Sequence, residues 1–166
     1  MISAETVTQT LERLSGADPA QVQAMVDQMG KEQPIILAYL LATGENEAFD
    51  KDETETFFHA GVVIWQLIRQ SPDGTRRISE RGLKKAEKAN EALLEKMASD
   101  SEGDFLSAAD ATAVNSPEPE VLRYITQALM EDEKGNPDNP PISEEHLGAA
   151  FLHLKIVLDA FIGSQK

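Results

Sequence analysis

The sequence predicts an all-α fold, a single-domain bundle of seven or eight helices around one buried central helix at about residues 51–70. Three observations lead to this prediction. The apolar run FFHAGVVIWQLI occupies residues 57–68. Capping residues, glycines and prolines divide most of the chain into helix-sized segments. A chain of 166 residues suits one domain, which buries about 70% of its unfolded surface.

The central helix follows from the apolar run and from the residues on either side of it. Apolar side chains fall on every side of a helix here, as expected for a helix surrounded by others. Asp50 can cap its start, Arg69 lies in its predicted last turn, and Ser-Pro-Asp-Gly at 71–74 is a stop signal. The run is shorter than the roughly 20 residues that a bilayer requires, so we expect other helices to bury it.

Three helices are predicted before the central one, each opened by a capping residue or a proline and closed by a glycine. Their predicted limits are Ser3 to Gly16, Asp18 to Gly30, and Pro34 to Gly44. The acidic connector at 45–50 then leads into the central helix.

Four further helices are predicted after the central one. Their approximate ranges are 79–98, 102–113, 116–133 and 144–162. The connector at 99–116 is weakly patterned, so the short helix inside it has the weakest signal. The loop at 134–142 contains three prolines and is predicted to lack regular structure. The last helix is almost as apolar as the central one, and we expect the two to pack together, with Gly61 and Gly148 permitting close approach.

Charge is unevenly distributed along the chain. The formal net charge is −14, which disfavours binding of the whole surface to nucleic acids or to anionic membranes. Between residues 69 and 88, however, seven basic residues stand against three acidic ones. This basic segment predicts either a solvated helix face or a docking surface for an acidic partner or a second copy of the chain.

The sequence offers few residues arranged for catalysis or for metal binding. It contains no cysteine, no glycine-rich phosphate loop and no Gly-x-Ser-x-Gly elbow. Glu55 and His59 lie four apart on the central helix and could share a metal ion or a proton with a histidine of the last helix. His146 and His153 are about 10.5 Å apart along that helix axis, too far to bind one ion together.

Two functional hypotheses remain. The favoured one is a non-enzymatic, cytoplasmic protein–protein interaction module without a cofactor, binding a protein partner or a second copy of itself. Its candidate residues are Arg76, Arg77, Arg81, Lys84, Lys85 and Lys88. The alternative is an enzyme, or a binder of small ligands or metals, with a pocket between the central and C-terminal helices. The candidates for that pocket are Glu55, His59, Trp65, His146 and His153.

Overall fold

The computed structural model describes residues 1–97, 102–131 and 140–164, and in these ranges the protein is all-helical. The predicted fold class is therefore confirmed, with nine helices in the described ranges instead of seven or eight. They are α1 (Ala4–Ser15), α2 (Pro19–Glu32), α3 (Pro34–Asn46), α4 (Lys51–Arg69), α5 (Glu80–Ala89), α6 (Glu91–Met97), α7 (Glu102–Val114), α8 (Pro119–Met130) and α9 (Glu144–Ser164).

The central helix is α4, and its burial is confirmed. Every residue from Ala60 to Ile68 is buried. Helices α1, α3, α8 and α9 all pack against it. Its start is fixed by a capping box, in which Asp50 accepts a hydrogen bond from the Glu53 backbone and Glu53 accepts one from the Asp50 backbone.

Helices α1, α3 and α8 run in the opposite direction to α4. In the α3–α4 pair, Gly44 lies against Thr54 and Gly61 lies against Leu40. The Gln70 amide at the end of α4 donates a 2.9 Å hydrogen bond to the Thr10 hydroxyl of α1. At the end of α8, the Leu129 carbonyl accepts a hydrogen bond from the Ile142 backbone N–H. The next residue, Ser143, hydrogen bonds to Glu53 at the start of α4.

Helix α9 packs against α4, as predicted. The two helices begin side by side and run in the same direction. Ser143, just before α9, hydrogen bonds to Glu53 in the first turn of α4. The glycines predicted to join them lie elsewhere, so that part of the hypothesis is wrong. Gly61 faces Leu40 of α3, and Gly148 faces the backbone of Met97 in α6.

The helix predicted over 79–98 is two helices, α5 and α6, which meet at Asn90. The Asn90 side chain is buried and donates hydrogen bonds to the Ala86 carbonyl and to Asp159 of α9. An asparagine amide that bonds back to the preceding turn competes with continuation of the helix. The α5–α6 segment runs antiparallel to α9, since Asn90 meets Asp159 while Met97 meets Gly148.

Several predicted helix limits were also wrong. Helix α2 continues past Gly30 to Glu32, and α3 continues past Gly44 to Asn46. Gly44 is a packing position, because a Cβ there would lie 3.0 Å from the Thr54 side chain. Helix α8 ends at Met130, before the predicted limit. Most of the proline-rich loop predicted at 134–142 lies outside the described residues.

Helix α9 is long and apolar enough to cross a membrane by length and composition alone. The buried core helix of a soluble protein has the same properties, and most of α9 is buried inside the bundle. Its histidines also have partners outside the helix: His146 pairs with Glu53, and His153 pairs with Glu47. These contacts assign α9 to the core of a soluble helical protein.

We predict that Gly148→Ala lowers the free energy of unfolding by about 2 kcal/mol, as overpacking of a core does. A Cβ at this position would lie 2.3 Å from the Met97 carbonyl oxygen, so the backbone of α6 would have to move. Urea unfolding followed by circular dichroism measures the change. Gly163→Ala on the same helix is the control, since no heavy atom lies within 4 Å of its Cβ; equal destabilisation of the two variants would contradict the prediction.

A second stability prediction concerns Ala48, which ends α3 with a left-handed φ of 57°. This conformation costs an alanine about 1–2 kcal/mol, whereas the extra chain entropy of glycine costs about 0.4–1 kcal/mol. Ala48→Gly should therefore raise the free energy of unfolding by roughly 0.5–1 kcal/mol. Ala38→Gly, at an exposed position inside α3, should lower it by about 1 kcal/mol. Destabilisation by both changes would refute the assignment of strain to Ala48.

Candidate functional site

The exposed side of α5 carries a row of four cations. Ser79 caps the helix by accepting a hydrogen bond from the Gly82 backbone N–H at 3.0 Å. Leu83 and Ala86 are buried and hold one side of the helix against the bundle. The cations recur at steps of three, one and three residues, which places them on one helix face, and all are exposed. They are Arg81, Lys84, Lys85 and Lys88.

The turn before α5 is held in place by Gln33, at the junction of α2 and α3. Its side chain is 1% exposed, donates to the Arg76 carbonyl at 2.7 Å and accepts from the Ile78 backbone at 2.9 Å. One polar side chain thus fixes the backbone on both sides of Arg77. Since Gln33 is far from this turn in the sequence, sequence patterns did not identify it.

The three arginines in and near this turn have different roles. The guanidinium of Arg77 donates to the Lys31 carbonyl at 2.8 Å, at the end of α2. The Arg69 guanidinium lies 4.7 Å from the ring centroid of Trp65 and 3.6 Å from Glu32. Arg76 is exposed and has no carboxylate within 4 Å among the described residues. We therefore define the basic face as Arg76, Arg81, Lys84, Lys85 and Lys88.

The basic face is uncompensated in the part of the chain that the structure describes. None of its five side chains has a carboxylate oxygen within 4 Å there, although salt bridges form elsewhere, such as Arg123 with Glu120. Glu80 lies four residues before Lys84, a spacing that permits an ion pair on a helix, yet the two do not pair. The positive charges of α5 therefore face solvent.

A groove of about 880 Å³ lies between α1, α4 and α8. Glu55 and His59, predicted to lie together on the central helix, both line it. Glu131, at the end of α8, contributes a second carboxylate, while Leu11 and Tyr124 form part of the wall. We call this the acidic groove. It lies near the start of α4, whereas Arg69 and the turn after it lie at the other end of that helix.

His146 is not part of this groove. Its Nδ1 donates to the Glu53 carboxylate, 2.9 Å from Oε2. The same oxygen accepts from the backbone N–H and the hydroxyl of Ser143, each at 3.0 Å. Glu53 is 4% exposed, so this carboxylate is a buried junction between the first turns of α4 and α9. The sequence signal for the capping role of Glu53 is the spacing Asp50-x-x-Glu53, whereas its bonds to Ser143 and His146 have no local signal.

Burial and hydrogen bonds shift the pKa of Glu53 in opposite directions. Burial alone would raise this pKa, because it penalises the charged carboxylate. Hydrogen bonds from the Asp50 backbone, from His146 and from Ser143 outweigh that effect and lower the pKa from 4.5 to about 2. The carboxylate is therefore ionised over the whole physiological range.

His153 joins a third cluster, formed by α9 and the end of α3. Its Nε2 lies 2.9 Å from the Glu47 carboxylate, and its Nδ1 lies 2.5 Å from the Tyr39 hydroxyl. A carboxylate can only accept, so Nε2 donates, and in the neutral imidazole Nδ1 accepts from the tyrosine. Burial raises the pKa of Tyr39 above its usual value, and the charges of Glu87 and Glu47 raise it further. The hydroxyl therefore remains a hydrogen-bond donor and is a poor nucleophile.

The five residues predicted for a ligand pocket thus lie in separate places. Glu55 and His59 line the acidic groove, while His146 and His153 bond to different carboxylates. Trp65 is fully buried. The composite site of Glu55, His59 and a C-terminal histidine is not formed. Among the described residues, no group of three or more histidines and carboxylates is placed to hold a metal ion.

A cluster of polar side chains joins the end of α5 to α9. The Lys155 ammonium of α9 donates to Asn90 at 2.7 Å and to Asp159 at 2.6 Å. The Asn90 amide donates in turn to Asp159 at 3.0 Å, which closes a triangle. This cluster ties the end of α5 to α9 and so fixes the position of the basic face.

Comparisons with known protein families, with curated proteins and with solved structures find no significant match for this chain.

The contacts of Glu53 lead to a prediction about pH. A lowered carboxyl pKa contributes stability above its unfolded value, near 4.5, and that contribution is lost as the pH falls towards the folded value of about 2. Glu53→Gln should therefore lower the free energy of unfolding at pH 7 by on the order of 2 kcal/mol, and the difference from the wild type should shrink below pH 4. Urea titrations between pH 2.5 and 7 measure it.

Glu55→Gln is the matched control for this experiment, because Glu55 lies two residues further along α4 and is exposed. It should change stability by less than about 0.5 kcal/mol at every pH. A Glu53→Gln deficit that is the same at pH 3 and pH 7 would show that the carboxylate charge does not stabilise the fold.

Proposed function

We propose that this chain is a non-enzymatic protein–protein interaction module that binds an acidic protein surface through its basic face. One observation carries the proposal. Five exposed cations, four of them in a row on α5, have no carboxylate within 4 Å among the described residues, in a chain with 29 acidic and 15 basic residues.

The arrangement of these cations has an energetic cost in the free protein. Like charges three or four residues apart destabilise a helix by about 0.2–0.5 kcal/mol per pair. The row on α5 contains four such pairs, Arg81–Lys84, Arg81–Lys85, Lys84–Lys88 and Lys85–Lys88, while two opposite-charge spacings, Glu80–Lys84 and Lys84–Glu87, offset part of the cost. A partner that places carboxylates against this face removes the repulsion and gains ion pairs. The free helix is thus less stable than the bound one, which favours binding.

The extent of the basic face favours a protein over a nucleic acid or a membrane. Arg81 and Lys88 are seven residues apart, or about 10 Å along the helix. A DNA duplex or an anionic bilayer extends well beyond this distance and would meet acidic surface on the same molecule. An acidic patch on a folded partner can match the size of the face. Charge complementarity of this kind increases the rate and specificity of association.

The alternative hypothesis of a catalytic or ligand-binding pocket receives less support from the geometry. The histidines that it requires bond to separate carboxylates, and the Tyr39 pKa is raised above its usual value.

We also propose a cytoplasmic location for this soluble protein; microscopy of the fluorescently tagged chain in its own cells checks it.

Binding to poly-L-glutamate tests the proposed function. We expect a labelled poly-L-glutamate peptide to bind at low protein concentration, with an increase in fluorescence anisotropy that is lost at high salt. The variant Lys84→Glu/Lys85→Glu should bind at least tenfold more weakly, about 1.4 kcal/mol. Both residues are exposed, so the variant should fold, and circular dichroism verifies this.

Two controls make the result specific. Lys51→Glu/Lys96→Glu applies the same charge change to exposed residues outside the basic face and should bind almost as well as the wild type. Duplex DNA at the same ionic strength should bind more weakly than the peptide. Equal losses in both variants, or preferential binding of DNA, would overturn the proposal.

A further inference from the structure

We infer that the acidic surface bound by the basic face is the acidic groove of a second copy of this chain. This inference rests on the proposed function and names its partner. It predicts a head-to-tail contact, in which α5 of one molecule lies against α1, α4 and α8 of the next.

The chemistry of the groove suits the side chains of the basic face. Glu55 of α4 and Glu131, just after α8, supply carboxylates, and Leu11, Tyr124 and Ala128 supply apolar surface between them. Lysine and arginine side chains combine an apolar stem with a charged head, so they cover apolar surface while the charge reaches a carboxylate. The volume of about 880 Å³ admits several such side chains.

The two surfaces can be occupied at the same time, because they belong to different parts of the bundle. Helix α5 packs against α9 and α3, whereas α1, α4 and α8 bound the groove. Along α4, Glu55 and Arg69 are fourteen residues apart, or about 21 Å. One molecule can therefore donate its basic face to one neighbour and accept the basic face of another. A contact between two different surfaces is heterologous and produces rings or open chains.

A second copy of the chain carries an acidic groove whose charge complements that of the basic face. Every molecule that carries the basic face also carries the groove at the same concentration. The net charge of −14 makes whole molecules repel one another over long distances. At 0.1 M salt this repulsion is screened beyond about 10 Å, while ion pairs in direct contact are screened much less. Self-association should therefore be weak, concentration-dependent and reduced by 1 M salt.

Two complementary variants test the inference. Analytical ultracentrifugation should show that the wild type grows beyond a dimer as its concentration rises. Lys84→Glu/Lys85→Glu disables the basic face and keeps the groove, while Glu55→Gln/Glu131→Gln neutralises the groove and keeps the basic face. Each variant alone should remain monomeric. Their mixture should form a one-to-one dimer and nothing larger, because each variant retains one working surface.

A control and a second measurement keep the outcomes distinct. Glu45→Gln/Glu95→Gln neutralises two exposed acids outside the groove and should still assemble. The inference is overturned if the wild type is monomeric throughout, if either of the two surface variants assembles alone like the wild type, or if the mixture does not dimerise. Should the monomer still bind poly-L-glutamate through Lys84 and Lys85, the proposed function stands and only the choice of partner is wrong. Absence of that binding contradicts the proposed function itself.

Discussion

The parallel packing of α4 and α9 is the constraint on which the rest of the structure depends. Two parallel helices place their partly positive amino ends side by side, which is unfavourable unless negative charge lies between them. The ionised Glu53 carboxylate occupies that position, accepting hydrogen bonds from Asp50 before α4 and from Ser143 before α9. Further acids in the first turns, among them Asp52 and Glu144, add to the effect. The acidic character of this end of the bundle thus has a structural cause, and Arg69 marks the opposite end of α4.

Local signals in the sequence predicted the fold class and most helix starts, since capping is decided within four residues. Ser3, Asp18 and Asp50 all cap helices as expected. The errors arose where tertiary contacts override local preference. Gly44 marks a close approach to Thr54 within a continuing helix, because a neighbouring helix determines which residue fits. The break at Asn90 depends in part on Asp159, 69 residues away.

The basic face was also predictable, because local sequence determines it. The row on α5 follows from helical periodicity, and its exposure follows from its charge. The histidines were harder, because a histidine's role depends on the side chain that it meets. His146 bonds to a residue 93 positions away, and His153 to residues 106 and 114 positions away. No spacing rule connects such positions. Arg77 also illustrates this limit, since its charge was apparent but its bond to the Lys31 carbonyl was not.

The order of the core helices along the chain has a consequence for folding on the ribosome. Helix α4 is complete at Arg69, whereas its partner α9 begins only at Glu144. During synthesis, α1 to α3 can collapse onto α4, but the side that α9 and α8 later cover stays exposed until those helices emerge. Newly exposed apolar surface of this kind attracts other chains and chaperones. Slow translation of the last third of the message would lengthen this interval and reduce the yield of native protein.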